Sequence, residues 1–244
     1  MSVAKGKFYI FPVSDLHLGH EKFNSEFFKF WDKTFRETSK NKCIYLLGDL
    51  IDNPSSRIGA FDSSMSTKDS VQQVIDLFRP HKKYVRFCAT GNHERRTKKD
   101  FNLDVTKIIA ERLGAKYTSN DFFDKLEING KELIVYGKHG TRFSKSPQLA
   151  MRGFIQDMSS IHADLCMMGH NHFSEFSSKY IRDYNGGKRR YYCFTGHFLN
   201  YENSYAHNQG KDMSLCGFQR LEVTNNGSIN SKNYYLDEVK SVSY

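Results

Sequence analysis

The sequence predicts an α/β fold: one domain over residues 1–244, with two mixed sheets packed face to face and helices on the outside. Three observations predict it. In the first half, short apolar runs alternate with longer amphipathic segments, the pattern of parallel strands joined by helical crossovers. In the second half, strand-like runs are separated by Asn-Gly and Ser-containing turns, the pattern of hairpins. A chain of 244 residues is also long enough to bury one substantial core.

Phe8 to Val13 reads as a buried strand, rich in aromatics. Residues 21–38 read as a helix, because Phe23, Phe27, Phe30, Trp31 and Phe35 recur at three- and four-residue intervals. Cys43 to Leu47 is a second strand, stopped by Gly48-Asp49. Thr67 to Phe78 is a second helix, with Thr67 as its N-cap and Pro80 just past its end. Tyr84 to Ala89 is a third strand, stopped by Gly91-Asn92, and Leu103 to Leu113 a third helix. Phe122 to Ile128 and Lys131 to Tyr136 flank Asn129-Gly130, a type I′ hairpin signal. Pro147 to Ser159 reads as a helix with proline in its first turn, and Leu165 to Met168 as a strand ending in Gly169. Runs at 173–181, 189–198, 214–223 and 229–236 complete the strands, with turns at Asn185-Gly186 and Asn226-Gly227.

No apolar stretch approaches the ~20 residues that span a bilayer. The run from Phe8 to Val13 leads directly into Asp15 instead of a cleavage site, so the expectation is a soluble cytoplasmic protein without a membrane partner. The five cysteines (Cys43, Cys88, Cys166, Cys193 and Cys216) are odd in number and without close pairs. Four lie in apolar runs and read as small buried hydrophobes, not disulfides. A net charge of +9 favours polyanionic partners such as nucleic acid or nucleotides, with plain solubility as the alternative.

Polar residues collect where the strands stop. The clusters are Ser14-Asp15-Leu16-His17, Gly48-Asp49-Leu50-Ile51-Asp52, Gly91-Asn92-His93-Glu94, Gly137-Lys138-His139-Gly140 and Gly169-His170-Asn171-His172. In an open α/β sheet the carboxyl ends of parallel strands form one rim, so these clusters are expected to converge. Convergence would join Asp15, His17, Asp49, Asn92, His139, His170 and His172. Two carboxylates brought together out of water repel each other and lose hydration, at a cost of several kcal/mol, so a divalent cation is expected among them. Imidazole mixed with carboxylate and amide oxygen suits Mn, Fe or Zn better than Mg or Ca. Seven such ligands exceed one ion and suit a pair that shares a bridging carboxylate. Asp-x-His and His-x-His fit the same site if their segments are extended, since residues i and i+2 then face one side.

SDLH, GDLID, GNHE, KHG and GHNH, in this order within residues 8–198, resemble the calcineurin-like metallophosphoesterases. The resemblance implies a metallophosphoesterase-type double β-sandwich flanked by helices, and a hydrolase of phosphate esters with a dinuclear centre. Carried over position by position, it implies Asp15, His17 and His172 on one metal, and Asn92, His139 and His170 on the other. Asp49 would bridge them, His93 would be the catalytic acid, and Asp52 the carboxylate that orients it. Manganese is the first choice of ion, with Fe, Zn or Ni as alternatives.

Three functions follow from the resemblance. The first is a phosphodiesterase, a nuclease or a nucleotide diesterase, in keeping with the basic charge. The second is a phosphomonoesterase. Its protein-phosphatase branch is disfavoured, because Asn53-Pro54 stands where the serine/threonine phosphatases carry Arg-Gly. The third, a non-catalytic scaffold, is disfavoured because every ligand position and His93 are present. For substrate contacts, Arg95 and Arg96 follow GNHE directly and guanidinium binds phosphate bidentately, although the same run suits a solvated helix start. His20 and His197 are further candidates, and substrate choice is expected to come from the loops at 53–66, 95–102, 141–146 and 199–212.

Overall fold

Alternation along each strand decides which face it buries, and two stacked sheets result. In a computed structural model, which describes residues 6–53, 64–141, 144, 146–183, 186–200 and 215–240, the first sheet is built on four parallel strands. They are β1 (Phe8–Val13), β2 (Lys42–Leu46), β3 (Val85–Ala89) and the short β4 (Lys116–Thr118). On the far side of β1 the sheet continues antiparallel into β11 (Gly217–Val223), which also pairs with β10 (Gly196–His197) and β12 (Ile229–Tyr235). The second sheet has the order β5 (Asp121–Ile128), β6 (Lys131–Lys138), β7 (Leu165–Met168), β9 (Gly186–Phe194) and β8 (Phe176–Asp183). Its three inner strands are parallel and its two edges antiparallel.

Residues two apart share a face. Ile10, Cys43, Tyr45, Leu47 and Phe87 therefore meet Phe122, Leu126, Leu133, Val135, Leu165 and Met167 between the sheets. The opposite face of the first sheet, with Phe11, Val13, Ile44, Leu46 and Cys88, is covered by α1 (Ser25–Glu37), α2 (Thr67–Phe78) and α4 (Val105–Leu113). The outer face of the second sheet packs Tyr136, Cys166, Tyr192 and Phe194 against Phe154 of α5 (Pro147–Asp157). The layers are helix, sheet, sheet, helix, with a short α6 (Leu236–Lys240) near the end.

Several local expectations need correction. Helix α1 starts at Ser25, because the Asn24 side chain accepts the Phe27 N–H at 2.9 Å and closes the helix there. The cap of α2 is Ser66, whose Oγ accepts the Asp69 N–H at 3.2 Å; Thr67 is already helical. Most of 95–102, expected as a loop, lies in a helix, α3 (Asn92–Phe101), in line with the alternative reading of its basic run as a helix start, and α4 begins two residues later than expected, after its cap Asp104. Strand β4, only three residues long, carries no alternation long enough to read. Asn129 and Gly130 both have positive φ, as the type I′ turn requires. All five cysteines are buried and free. Among the described residues no helix is long and apolar enough to cross a membrane.

Candidate metal centre

Strands β1, β2 and β3 run in one direction, as do β6 and β7, so each sheet delivers its strand ends to a single edge. Just past β1 come Asp15 and His17, past β2 Asp49 and Asp52, and at the head of α3, past β3, Asn92 and His93. His139 follows β6, and His170 and His172 follow β7.

The loops do not continue extended. Asp15, His17, Asp49, His170 and His172 all have φ between +48° and +69°. Left-handed backbone costs a non-glycine residue roughly 1–2 kcal/mol. Here it persists because the neighbours hold it: Asp15 N–H donates to the Gly48 carbonyl and His17 N–H to the Asp49 carbonyl, each at 3.0 Å. The two loops thus brace one another beyond the sheet. Glycine is required where they meet the third: a Cβ on Gly48 would sit 2.4 Å from the Gly91 nitrogen.

The seven side chains expected to converge do so. Asp15, His17 and His172 have one ligand atom each within 4.8 Å of the others, and so do Asp49, His139 and His170. Asn92 Oδ1 is 3.0 Å from His139 Nε2. Asp49 is central: its Oδ2 lies 3.1 Å from His139 Nε2 and 3.9 Å from both His17 Nε2 and His93 Nε2.

Two features test whether a cation fits. Asp15 Oδ1 is buried without a hydrogen-bond partner, although His172 Nε2 lies 3.3 Å away. Leaving such an oxygen unpaired is expensive. His139 Nδ1 faces the Leu47 carbonyl at 2.8 Å and must carry the ring proton there. Its Nε2 lone pair then meets Asp49 Oδ2 and Asn92 Oδ1, so three acceptors face one point. A proton or a metal ion resolves that contact, and the mixed oxygen and nitrogen donors suit a divalent cation.

Ionisation in the centre follows the same deficit. Burial disfavours charge on His139, but the Asp49 carboxylate outweighs it and raises the imidazole to about 9. Asp49 is buried too, yet the His139 charge and hydrogen bond hold it well below the usual carboxylate range. Asp15 behaves alike: burial opposes ionisation, His172 favours it, and the carboxyl falls to about 2. Burial prevails at two other imidazoles: it pushes His17 down to about 4 and lowers His170 below its ordinary value.

His93 sits on the first turn of α3, where its backbone N–H donates to Asp49 Oδ1 at 2.8 Å. Its Nδ1 lies 3.0 Å from Asp52 Oδ1, while Nε2 faces the centre. Burial would raise Asp52, but hydrogen bonds with His17 and His93 hold it far below its ordinary value. The two arginines part company. Arg96 Nη1 donates to the Asn53 carbonyl at 3.3 Å and lies 3.4 Å from His93 Nδ1. Arg95 reaches away from the centre to the Ser119 carbonyl at 3.1 Å. His20 Nδ1 accepts the Lys22 N–H and locks a turn. His197 is fully buried, its ring stacked on His172 with centroids 5.1 Å apart. Positions 54–63, 142–143, 145 and 201–214, most of three loops expected to select substrate, lie outside the described residues, and 95–101 belong to α3.

Sequence reasoning missed Glu94 and Ser14. Glu94 is buried and accepts four backbone N–H groups, from Asp49, Leu50, Ile51 and Gly91. The only signal was its place as last letter of GNHE; partners that are all backbone leave no complementary side chain to find. Ser14 Oγ bonds Asp15 Oδ2 and Thr195 Oγ1, and His170 N–H donates to the same carboxylate oxygen at 2.9 Å.

The sequence profile of the calcineurin-like phosphoesterase family matches residues 10–197. No curated protein sequence matches the chain. Among solved structures, a protein described as a 5′-nucleotidase from Staphylococcus aureus aligns over 93% of this chain and 53% of its own, at 11% identity and a TM-score of 0.51. A predicted phosphoesterase from Streptococcus pneumoniae aligns over 94% and 98%, at 14% identity and a TM-score of 0.41. Vps29 from Entamoeba histolytica, complexed with zinc, aligns over 93% and 99%, at 13% identity and a TM-score of 0.44. At such identities likeness concerns the fold alone.

Proposed function

The chain belongs to the calcineurin-like phosphoesterase family, and we propose that it is a phosphodiesterase of nucleic acid or nucleotides, working with two divalent ions, manganese first. One observation carries the reading: among the described residues a group of Asp15, His17 and His172 and a group of Asp49, His139 and His170 lie side by side, Asp49 reaching toward His17, with a third group of His17, Asp52 and His93 placing the His93 imidazole beside them. Asp15, His17 and His172 would hold one ion, Asn92, His139 and His170 the other, and Asp49 both. Bound there, the ions would supply Lewis-acid stabilisation of the phosphoryl oxygens and an activated water near neutral pH.

The chain's own residues do the rest. Asp52 anchors His93 through Nδ1, so the proton available for transfer is the one on Nε2, which faces the centre. His93 hands that proton to the departing alkoxide, and Asp52 stabilises the charged ring that precedes the transfer. Arg96 engages only Nη1 in its protein contacts among the described residues, and its other donors suit a phosphate oxygen. Arg95, turned toward Ser119, is the weaker candidate. The net charge of +9 supports a polyanionic substrate.

The test is relative activity on bis-p-nitrophenyl phosphate and p-nitrophenyl phosphate with added manganese. The proposal expects the higher kcat/KM on the diester; the reverse ratio would assign a phosphomonoesterase. Hydrolysis of DNA or RNA that falls steeply with salt would place the substrate among nucleic acids, since phosphate contacts release counterions.

A further inference from the structure

We propose that Glu94 is a positioning residue that sets Asp49 for both ions, an inference that rests on the metal centre proposed above. Asp49 holds a left-handed backbone, φ +49°, that costs any residue but glycine, although Asp tolerates it better than most. Something must over-determine that conformation. Glu94 Oε1 accepts the N–H groups of Leu50 at 2.6 Å and Ile51 at 3.3 Å. Its Oε2 accepts those of Asp49 at 3.0 Å and Gly91 at 2.9 Å. Three successive N–H groups converging on one anion form a nest, the device by which backbone binds phosphate. Here the anion is supplied by the protein itself.

The placement links two parts of the centre. Glu94 follows Asn92 and His93 on the first turn of α3, while Asp49 belongs to the loop after β2. The His93 N–H returns a bond to Asp49 Oδ1 at 2.8 Å, so helix and loop are clasped from both sides. Between them Gly91 and Asp49 touch: a Cβ on Gly91 would lie 2.2 Å from the Asp49 nitrogen. One side chain thereby fixes the separation of Asp49 from Asn92 and His93. The chemistry calls for a carboxylate of this length. A glutamine would turn an NH2 group toward N–H donors, and an aspartate is one methylene too short to reach both sets.

The experiment is a calorimetric titration of manganese into the metal-free wild type, Glu94→Gln, Glu94→Asp and Asp124→Asn, with Tm measured on each. Asp124 is a buried carboxylate bonded to Tyr45 and Arg86, away from the rim, and controls for loss of stability alone. Glu94→Gln is expected to weaken manganese binding about ten- to a hundredfold, the usual effect of removing a group that supports a metal ligand. Glu94→Asp should fall between it and the wild type, and Asp124→Asn should bind normally at a lowered Tm. A folded Glu94→Gln or Glu94→Asp with wild-type manganese affinity would overturn the inference. So would failure of both to fold while Asp124→Asn folds, which would assign Glu94 to the fold. A wild type that binds no manganese would instead sink the proposed function.

Discussion

Two sets of buried carboxylates in this chain are satisfied in opposite ways. Asp124, between the sheets, accepts the Tyr45 hydroxyl at 2.7 Å and is held by two nitrogens of Arg86, one at 2.9 Å. Its charge is neutralised within the protein. Asp15 and Asp49, buried as deeply at the rim, have no lysine or arginine in an ion pair with them among the described residues. They face imidazoles, which take up a proton or a metal ion at the same lone pair. The sandwich closes its charges where the purpose is packing and leaves a deficit of positive charge where a ligand is to sit.

The comparison is broken most severely by Asp49→Asn. Removing the charge that faces His17, His93 and His139 is expected to abolish turnover, with metal content falling from about two ions per chain to about one or fewer. Elemental analysis showing full occupancy would refute the bridging role. His93→Ala is expected to lower kcat by about 10²–10⁴ on a substrate with a poor leaving group while metals still bind. Normal rates on that substrate would remove His93 as the acid.

Asp124→Asn strikes the other region. It strands Arg86, and breaking a buried pair costs about 3–5 kcal/mol. The Arg86 side chain remains 28% exposed, so roughly 2–3 kcal/mol is expected here. Denaturant unfolding measures it, and manganese affinity should not change. A joint loss would erase the distinction between the regions.

The remaining effects are in pH, and they have opposite signs. Burial opposes ionisation of Asp124, but the Arg86 and Tyr45 hydrogen bonds win and hold its pKa below 3.8. A depressed carboxyl stabilises the fold above the unfolded value and loses that contribution as pH falls through the folded one. The Tm gap between wild type and Asp124→Asn should therefore be flat near neutrality and close below about pH 3.8. His139 is raised from 6.5 to about 9 by Asp49 against the effect of burial, so its contribution is complete below 6.5 and disappears as pH rises through 9. Metal-free protein should lose up to about 1.4 kcal/mol per pH unit across that window. Manganese should remove the slope. A flat metal-free profile would contradict the acceptor cluster around His139.

How much of this was readable in advance follows from what kind of partner each residue has. Phe27, Trp31 and Phe35 announced α1 because a helix face is periodic, and Asn129-Gly130 announced its hairpin because few dipeptides tolerate two positive φ values. The rim residues were legible because each lies just past an apolar run. Helix α3 was only an alternative reading of its basic run: Arg95, Arg96, Lys98 and Lys99 obscure any apolar stripe, and the helix is started by the Glu94 side chain reaching back to the Gly91 N–H, since the N-cap glycine has no side chain to signal it. The left-handed turns at Asp15 and His17 were hidden too, since the bonds that stabilise them come from backbone groups of another loop. His197 showed a similar limit. A histidine after a strand end looks like a substrate contact, and only tertiary packing reveals that it stacks behind His172.

Anomalous diffraction from manganese-loaded crystals tests the central claim most directly. The account predicts two peaks, one among Asp15, His17 and His172 and one among Asn92, His139 and His170, with Asp49 touching both. Peaks elsewhere on the molecule, with these side chains bonded only to one another, would contradict it.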